Sequence, residues 1–272
     1  LYTRRMVIVS AHMILSVLSA LLYAGLAWCA SSLSAPAARR LLLTVAAVHA
    51  GALATGFFVP PPAFGFAPAV SISAWLVLVV YLLESRALPQ LRARGFLTLV
   101  GMAAVVLPLF FPGRALPPEQ GAWMGIHIAL GMASYALLAC AVLHAWLVTR
   151  AEAALRQPGS DSLVTGNLPV LTLERLMFGF VWAGWILLSA TLLAGLLFDE
   201  WLYGSALPFQ WTHKVVFAWL AWLTFALLLM GRWRLGWRGR KAVRMVYAGS
   251  VFLLLSYIGS RFVLEALLQR AA

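Results

Sequence analysis

Charge is scarce in this 272-residue chain. Only 10% of its residues are Asp, Glu, Lys or Arg, and only eight of them are acidic. With 63% hydrophobic residues and a mean hydropathy of +0.92, the apolar surface exceeds what a water-soluble core can hide, so the composition defines an integral membrane protein. Cysteine is equally sparse. Cys29 and Cys140 are far apart and lie inside or at the end of apolar runs, which indicates neither a disulfide framework nor a thiol redox motif. There is no CxxCH, so the chain is not itself a c-type cytochrome. There is also no GxxxxGK[ST], no HExxH and no pair of intramembrane carboxylates for a proton or ion path.

What the chain does have is apolar runs. A helix needs about 20 apolar residues to cross roughly 30 Å of hydrocarbon. Eight segments qualify or nearly so: Met6 to Trp28, Leu41 to Val59, Ala69 to Leu83, Phe96 to Phe111, Ala122 to Val148, Met177 to Leu197, His213 to Met230 and Met245 to Leu268. The third and fourth are short and contain or abut Pro. Breakers separate the others, among them Pro60-Pro61-Pro62, Pro117-Pro118 and Gln157-Pro158-Gly159-Ser160. Arg4 and Arg5 ahead of the first run imitate a signal peptide, but no small-residue cleavage site leads into a soluble domain and more spans follow. The expected fold is therefore all-α, a polytopic membrane helical bundle of about eight transmembrane helices forming a single integral membrane domain over residues 1–272. No repeat relates its halves.

The net charge of +12 would suggest nucleic acid in a soluble domain. Here the cations cluster between apolar runs and carry topology instead, so no nucleic-acid partner is expected. The odd-numbered loops hold Arg39 and Arg40, then Arg86, Arg92 and Arg94, then Arg150, Arg156 and Arg175, then Arg232, Arg234, Arg238, Arg240, Lys241 and Arg244. The even-numbered loops offer only Arg114 and Lys214. Cations mark the cytoplasmic side, so both termini are expected on the outer, periplasmic side of a bacterial inner membrane. The connection from Arg150 to Arg175 reads as a surface hairpin. Glu84 and the pair Glu174-Arg175 are expected at helix ends.

Candidate chemistry centres on the stretch from Trp211 to Arg261. At 1.5 Å per residue, His127 lies roughly 7 Å and His12 roughly 9 Å below the outer surface, and His213 opens the seventh run. His49 lies near the midplane and His144 toward the cytoplasm. A buried His inside a span faces the bundle interior and is a site candidate. The alternative for each is a neutral imidazole hydrogen-bonded between helices. His127 and His213 enter from one side and are suited to axial ligation of one heme iron. Arg261 has either Glu265 on its own helical face or a carboxylate such as a heme propionate as partner. The outer segment carrying Trp201, Tyr203, Phe209 and Trp211 is either an interfacial aromatic belt or a shelf for a flat aromatic ligand. Gly121 and Gly125 form a small-xxx-small pair of the kind that packs helices closely.

The order of Ala47-Val48-His49-Ala50, Gly125-Ile126-His127-Ile128 with Ser134-Tyr135, Leu173-Glu174-Arg175 with Met177-Phe178, His213-Lys214, Gly236-Trp237-Arg238-Gly239-Arg240 and Gly259-Ser260-Arg261 resembles the cytochrome c assembly membrane proteins. These are the CcsA/CcmC-type heme handlers, and the likeness is nearest the YpjD/HemX-like branch. It covers about residues 39–263 and is strongest in the last three helices. The resemblance implies heme held at the outer side by His127 and His213, with His49 matching a further histidine, and with Trp201, Gly204 and Trp211 as a reduced Trp-rich segment. Two positions depart from the pattern: Thr212 follows Trp211 where an Asp is usual, and Arg232 stands where some relatives place a histidine.

The chain is thus expected to be a heme-handling inner-membrane protein related to cytochrome c assembly. Heme b is its cofactor, bound by His127, His213, His49, Arg261, Trp211 and Trp201. An apocytochrome c or other assembly proteins are its partners in the bilayer, and no catalytic residues are assigned. The alternative is a non-catalytic, HemX-like adapter or regulator of heme biosynthesis acting through Arg232 to Arg244. A small-solute transporter is disfavoured by the lack of a broken midplane span or an inverted repeat.

Overall fold

The structure, a computed structural model, describes residues 2–29, 33–57, 63–88, 94–116, 121–156, 169–197 and 212–263. Helix dominates, as an apolar solvent demands: with no water to bond them, backbone N–H and C=O groups must be satisfied within the segment. The order is α1 (Tyr2–Trp28), α2 (Ala35–Phe57), β1 (Ala63–Phe64), α3 (Phe66–Ala87), α4 (Arg94–Phe110), β2 (Arg114–Ala115), α5 (Gly121–Arg156), α6 (Val170–Leu197), α7 (His213–Leu235) and α8 (Gly239–Leu254). A π-helical segment, Leu255–Gly259, and a last turn, α9 (Ser260–Phe262), follow α8. Seven of these helices are long and apolar enough to cross a membrane, with α8 counted through Phe262. Helix α4 is shorter, at 17 residues. Each of the eight expected spans is therefore helical over its described residues to within one residue, the ends at Val59 and Leu268 lying outside them.

Several boundaries move, each for a local reason. Pro68 does not delay α3, because it falls in the first turn, where backbone N–H groups have no helical acceptor to lose. Helix α6 begins at Val170, well before Met177, so Glu174 sits inside the helix and is only 4% exposed. The expectation of a solvated charge at a helix end is corrected there. Helix also occupies both ends of the Arg150 to Arg175 connection, since α5 runs to Arg156 and α6 starts at Val170.

The chain divides into two compact units. In the first, α1 packs on α2, α2 on α3, α3 on α4 and α4 back on α1, closing a four-helix ring. Neighbours run antiparallel: His12 and Leu15 of α1 face Ala52 and Gly51 of α2, while His49 and Ala46 of α2 face Ser71 and Trp75 of α3. Gly101 lets α4 approach α1, since a Cβ there would lie 2.5 Å from the Tyr23 ring. Strands β1 and β2 pair antiparallel across one end, Ala63 opposite Ala115 and Phe64 opposite Arg114. Gly113 makes that pairing possible at φ 82°, with the Phe64 backbone where a side chain would go.

The second unit repeats the ring with α5, α6, α7 and α8. Its core, Leu138, Leu147, Leu173, Met177, Phe225 and Leu228, is almost wholly buried. Ser134 donates to the Gly184 carbonyl at 3.0 Å, and a Cβ on Gly184 would lie 2.7 Å from Leu138 Cγ. Gly249 likewise admits the Phe225 ring. Gly125 is different: nothing stands within 4 Å of its would-be Cβ, so the small-residue pair does not mark close packing there. Gly184→Ala is therefore expected to cost about 1–3 kcal/mol in unfolding experiments in detergent, while Gly125→Ala leaves the midpoint unchanged. Equal midpoints for the two variants would refute this account of the α5–α6 contact.

Candidate functional site

Because neighbours alternate in direction, α5 and α7 begin at the same end of the second unit, on diagonally opposite members of the ring. That end carries His127 and His213. His127 is half-buried and packs toward α6, its Cε1 lying 3.6 Å from the position a Cβ on Gly195 would take. Its Nδ1 is buried with no hydrogen-bond partner among the described residues. A buried imidazole nitrogen left without a partner needs an explanation, and a metal held there would supply one. His213 is exposed and is the first residue of α7. The donor chemistry of this end thus fits a heme.

Two turns along α5, Tyr135 explains the π-helical segment. Widening the helix to i→i+5 bonding frees a carbonyl from the regular ladder. The Tyr135 hydroxyl donates to the Leu253 carbonyl, and Ser256 Oγ lies 3.0 Å away. The neighbouring residues Ser134 and Tyr135 thereby tie α5 to α6 and to α8. A tryptophan cluster holds the α6–α7 contact. Trp185 stacks on Trp222 with centroids 5.4 Å apart, Trp182 and Trp219 meet them edge-on, and Trp222 Nε1 donates to Ser189 Oγ at 2.8 Å. Sequence reasoning attended to the outer-loop aromatics and missed these four. Their signal was two Trp pairs, 182/185 and 219/222, each three residues apart and so on one helical face.

The remaining histidines have mostly structural roles. His49 is fully buried, with Nδ1 3.0 Å from the Tyr23 hydroxyl and Nε2 3.0 Å from Ser71 Oγ. Both ring nitrogens are thus engaged, linking α1, α2 and α3. His144 is also fully buried, donates from Nδ1 to the Cys140 carbonyl at 2.9 Å, and lies against the Phe180 ring. His12 is half-buried and its Nδ1 donates to the Ala52 carbonyl at 2.9 Å. Arg261 is half-buried and groups with the first unit, where its neighbour Phe262 meets Phe66 edge-to-face at 5.3 Å. His12, His49 and Arg261 therefore belong to the first unit, and His127, His144 and His213 to the second. Trp201, Gly204, Trp211 and Glu265 lie outside the described residues. No group of three or more metal-ligating side chains occurs among the described residues.

The opposite end of the second unit is built around the turn Gly236-Trp237-Arg238-Gly239. Gly236 takes φ 64° as the left-handed C-cap of α7, and its N–H and that of Trp237 both turn back to the Gly231 carbonyl, the latter at 3.1 Å. The Trp237 indole lies directly on Gly231, leaving no room for a side chain there. Gly239, at φ 54°, starts α8, and its N–H donates to Glu174 Oε1 at 2.9 Å. A buried carboxylate at a helix N-terminus both accepts that orphan N–H and meets the positive end of the helix dipole. Arg232 lies over the Phe178 ring at 4.6 Å and donates to the Trp237 carbonyl, while Lys241 covers the indole at 3.7 Å.

Ringed, antiparallel, apolar helices with histidines near one end of the second unit and an ordered basic turn at the other define a multi-pass helical membrane protein. The Cytochrome C assembly protein family matches residues 11–268, and the chain belongs to that family. It is 32% identical over 178 residues to the inner membrane protein YpjD of Escherichia coli, a match covering 63% of this chain and 66% of that protein. It is 26% identical over 269 residues to the cytochrome c biogenesis protein CcsA of Synechococcus sp. (strain CC9902), covering 85% and 86% of the two chains. The CcsA of Parasynechococcus marenigrum is 25% identical over 217 residues, covering 68% and 70%. No solved structure matches. Taken with its seven candidate spans, this makes the chain a multi-pass inner membrane protein.

The basic turn yields a stability test. Glu174→Ala leaves the Gly239 N–H without its acceptor and is expected to cost about 1–2 kcal/mol, with the earliest loss of hydrogen-exchange protection in the first turn of α8. Unchanged protection there would mean that the carboxylate does not hold the turn.

Proposed function

We propose that this protein handles heme for cytochrome c assembly, holding heme b at the end of the second unit where α5 and α7 begin. The observation that carries the reading is His127, whose buried Nδ1 has no hydrogen-bond partner among the described residues, on the helix diagonal to the one His213 opens. His127 and His213 would hold the heme there, offering imidazole nitrogens to its iron. The chain's own part is to orient: His127 packs toward Gly195 of α6, Tyr135 and the π segment fix α5 against α8, and the tryptophan cluster fixes α6 against α7. His49, with both nitrogens engaged, serves as an interhelical strut. The CcsA relatives are cytochrome c biogenesis proteins, which supports an assembly role and an apocytochrome or other assembly proteins as partners.

A second reading keeps the family and moves the action to the basic turn, as in an adapter or regulator of heme biosynthesis. Its support is the order of that turn, where Arg234, Arg238, Arg240 and Lys241 stand exposed on a rigidly capped connection. Crosslinks from position 238 to a cytosolic enzyme, together with full function after His127→Ala, would favour it.

Two measurements test the main reading. Purified protein is expected to show a Soret band that His127→Ala or His213→Ala diminishes and His144→Ala does not. A heme-free preparation that cannot be reconstituted overturns the proposal. For orientation, the distribution of cations supports α5 and α7 beginning on the outer side. A phosphatase active only in the periplasm is expected to be active when fused after Ala206 and silent after Arg238. The reverse pattern would put the histidines on the cytoplasmic face.

A further inference from the structure

The first unit contains a half-open cavity of about 220 Å³ between its four helices, lined by His12 and Ser16 of α1, Leu53 and Phe57 of α2, Ile72 of α3 and Val105 of α4, among others. Its walls are mostly apolar, but two polar groups are placed in an unusual way. His12 donates from Nδ1 to the Ala52 carbonyl. A carbonyl only accepts, so in the uncharged ring this bond assigns the proton to Nδ1 and leaves Nε2 with a lone pair. Ser16 is 1% exposed, and its hydroxyl has no partner among the described residues. Thr44, Thr55, Thr149 and Thr191 each turn their hydroxyl back onto the carbonyl four residues earlier, the usual way a hydroxyl is satisfied in an apolar helix. Ser16 does not.

His12 and Ser16 are four residues apart and therefore adjacent on one face of α1. Together they present one acceptor and one donor inside an apolar pocket. A single hydroxyl satisfies both at once, donating to His12 Nε2 and accepting from Ser16. Ser71, the other hydroxyl lining the cavity, lies 3.0 Å from His49 Nε2 and is already committed. A buried water needs two to four polar partners, and an apolar cavity of ~150 Å³ already admits benzene. This larger space, with only two polar groups at one wall, therefore suits a compact apolar body bearing one hydroxyl.

We propose that this cavity binds a membrane-dissolved hydroxyl compound, an alcohol or a phenol, through His12 Nε2 and the Ser16 hydroxyl. The site lies within the first unit and does not depend on the heme reading. The test uses the full chain in lipid nanodiscs and fluorine NMR, with three probes of similar size: 4-(trifluoromethyl)phenol, a trifluoromethyl-substituted aliphatic alcohol, and (trifluoromethyl)benzene, which has no hydroxyl. A saturable protein-bound resonance is expected for at least one hydroxylated probe and not for (trifluoromethyl)benzene. Which of the two saturates identifies the source of the hydroxyl. Ser16→Ala, a small change at a buried site, and His12→Phe, which keeps the ring volume, are each expected to weaken binding about tenfold, the effect of one lost hydrogen bond. Each variant's unfolding midpoint is measured alongside, and Ser16→Ala carries the test should His12→Phe fail to fold. Equal binding of the hydroxyl-free probe, unchanged binding in Ser16→Ala, or a cavity that takes none of the probes and holds water alone would overturn the proposal.

Discussion

The constraint on which this structure depends is that a polar group placed among apolar side chains must find its partner inside the protein. In water an unbonded hydroxyl or imidazole loses little, because solvent takes over. In a hydrocarbon surround it loses the full strength of the bond. Several of the helix contacts here are closed by such an obligation. Ser134 seeks a carbonyl of α6, Tyr135 a carbonyl freed by the π segment, Trp222 the hydroxyl of Ser189, and His49 the hydroxyls of Tyr23 and Ser71. These bonds select one register among the many that apolar faces alone would accept, since lipid-like surfaces pack against one another with little preference. Small residues then let the backbones approach, as Gly184 does under Leu138 and Gly101 under Tyr23.

Seen in that way, the groups that escape the rule are informative. The Nδ1 of His127 and the hydroxyl of Ser16 are buried without hydrogen-bond partners among the described residues. Ser16 lines the first unit's cavity, and His127 packs against Gly195, which presents no side chain to it. Ser19 and Ser250 also bury a hydroxyl without a partner among the described residues, so what sets Ser16 apart is the cavity that it lines.

The basic turn shows the same economy at an aqueous end. A run of arginines between two helices would ordinarily signal topology and nothing more. Here two glycines in left-handed conformations, an indole laid on a third glycine and a buried glutamate from α6 make the connection a fixed shape. The exposed cations are therefore presented in a defined pattern, which a disordered loop of equal charge would not do.

Much of this was legible in the chain. Membrane residence, the helical class and the eight segments follow from composition and the length of apolar runs, because bilayer thickness sets a length that sequence must meet. The family likeness was carried by short local motifs, and the match over residues 11–268 agrees with it. Partnership was not legible, because it is decided across helices. Nothing in the letters distinguishes His49, tied at both nitrogens, from His127, left with one unbonded. Glu174 reads as a charge at a boundary until the fold folds it under α8. Gly125 and Gly184 are the same residue in similar company, yet one faces open space and the other Leu138. Local pattern decided what each segment is. Tertiary packing alone decided which polar atoms meet, because hydrogen bonds depend on ångström-scale distances between residues that lie tens of positions apart.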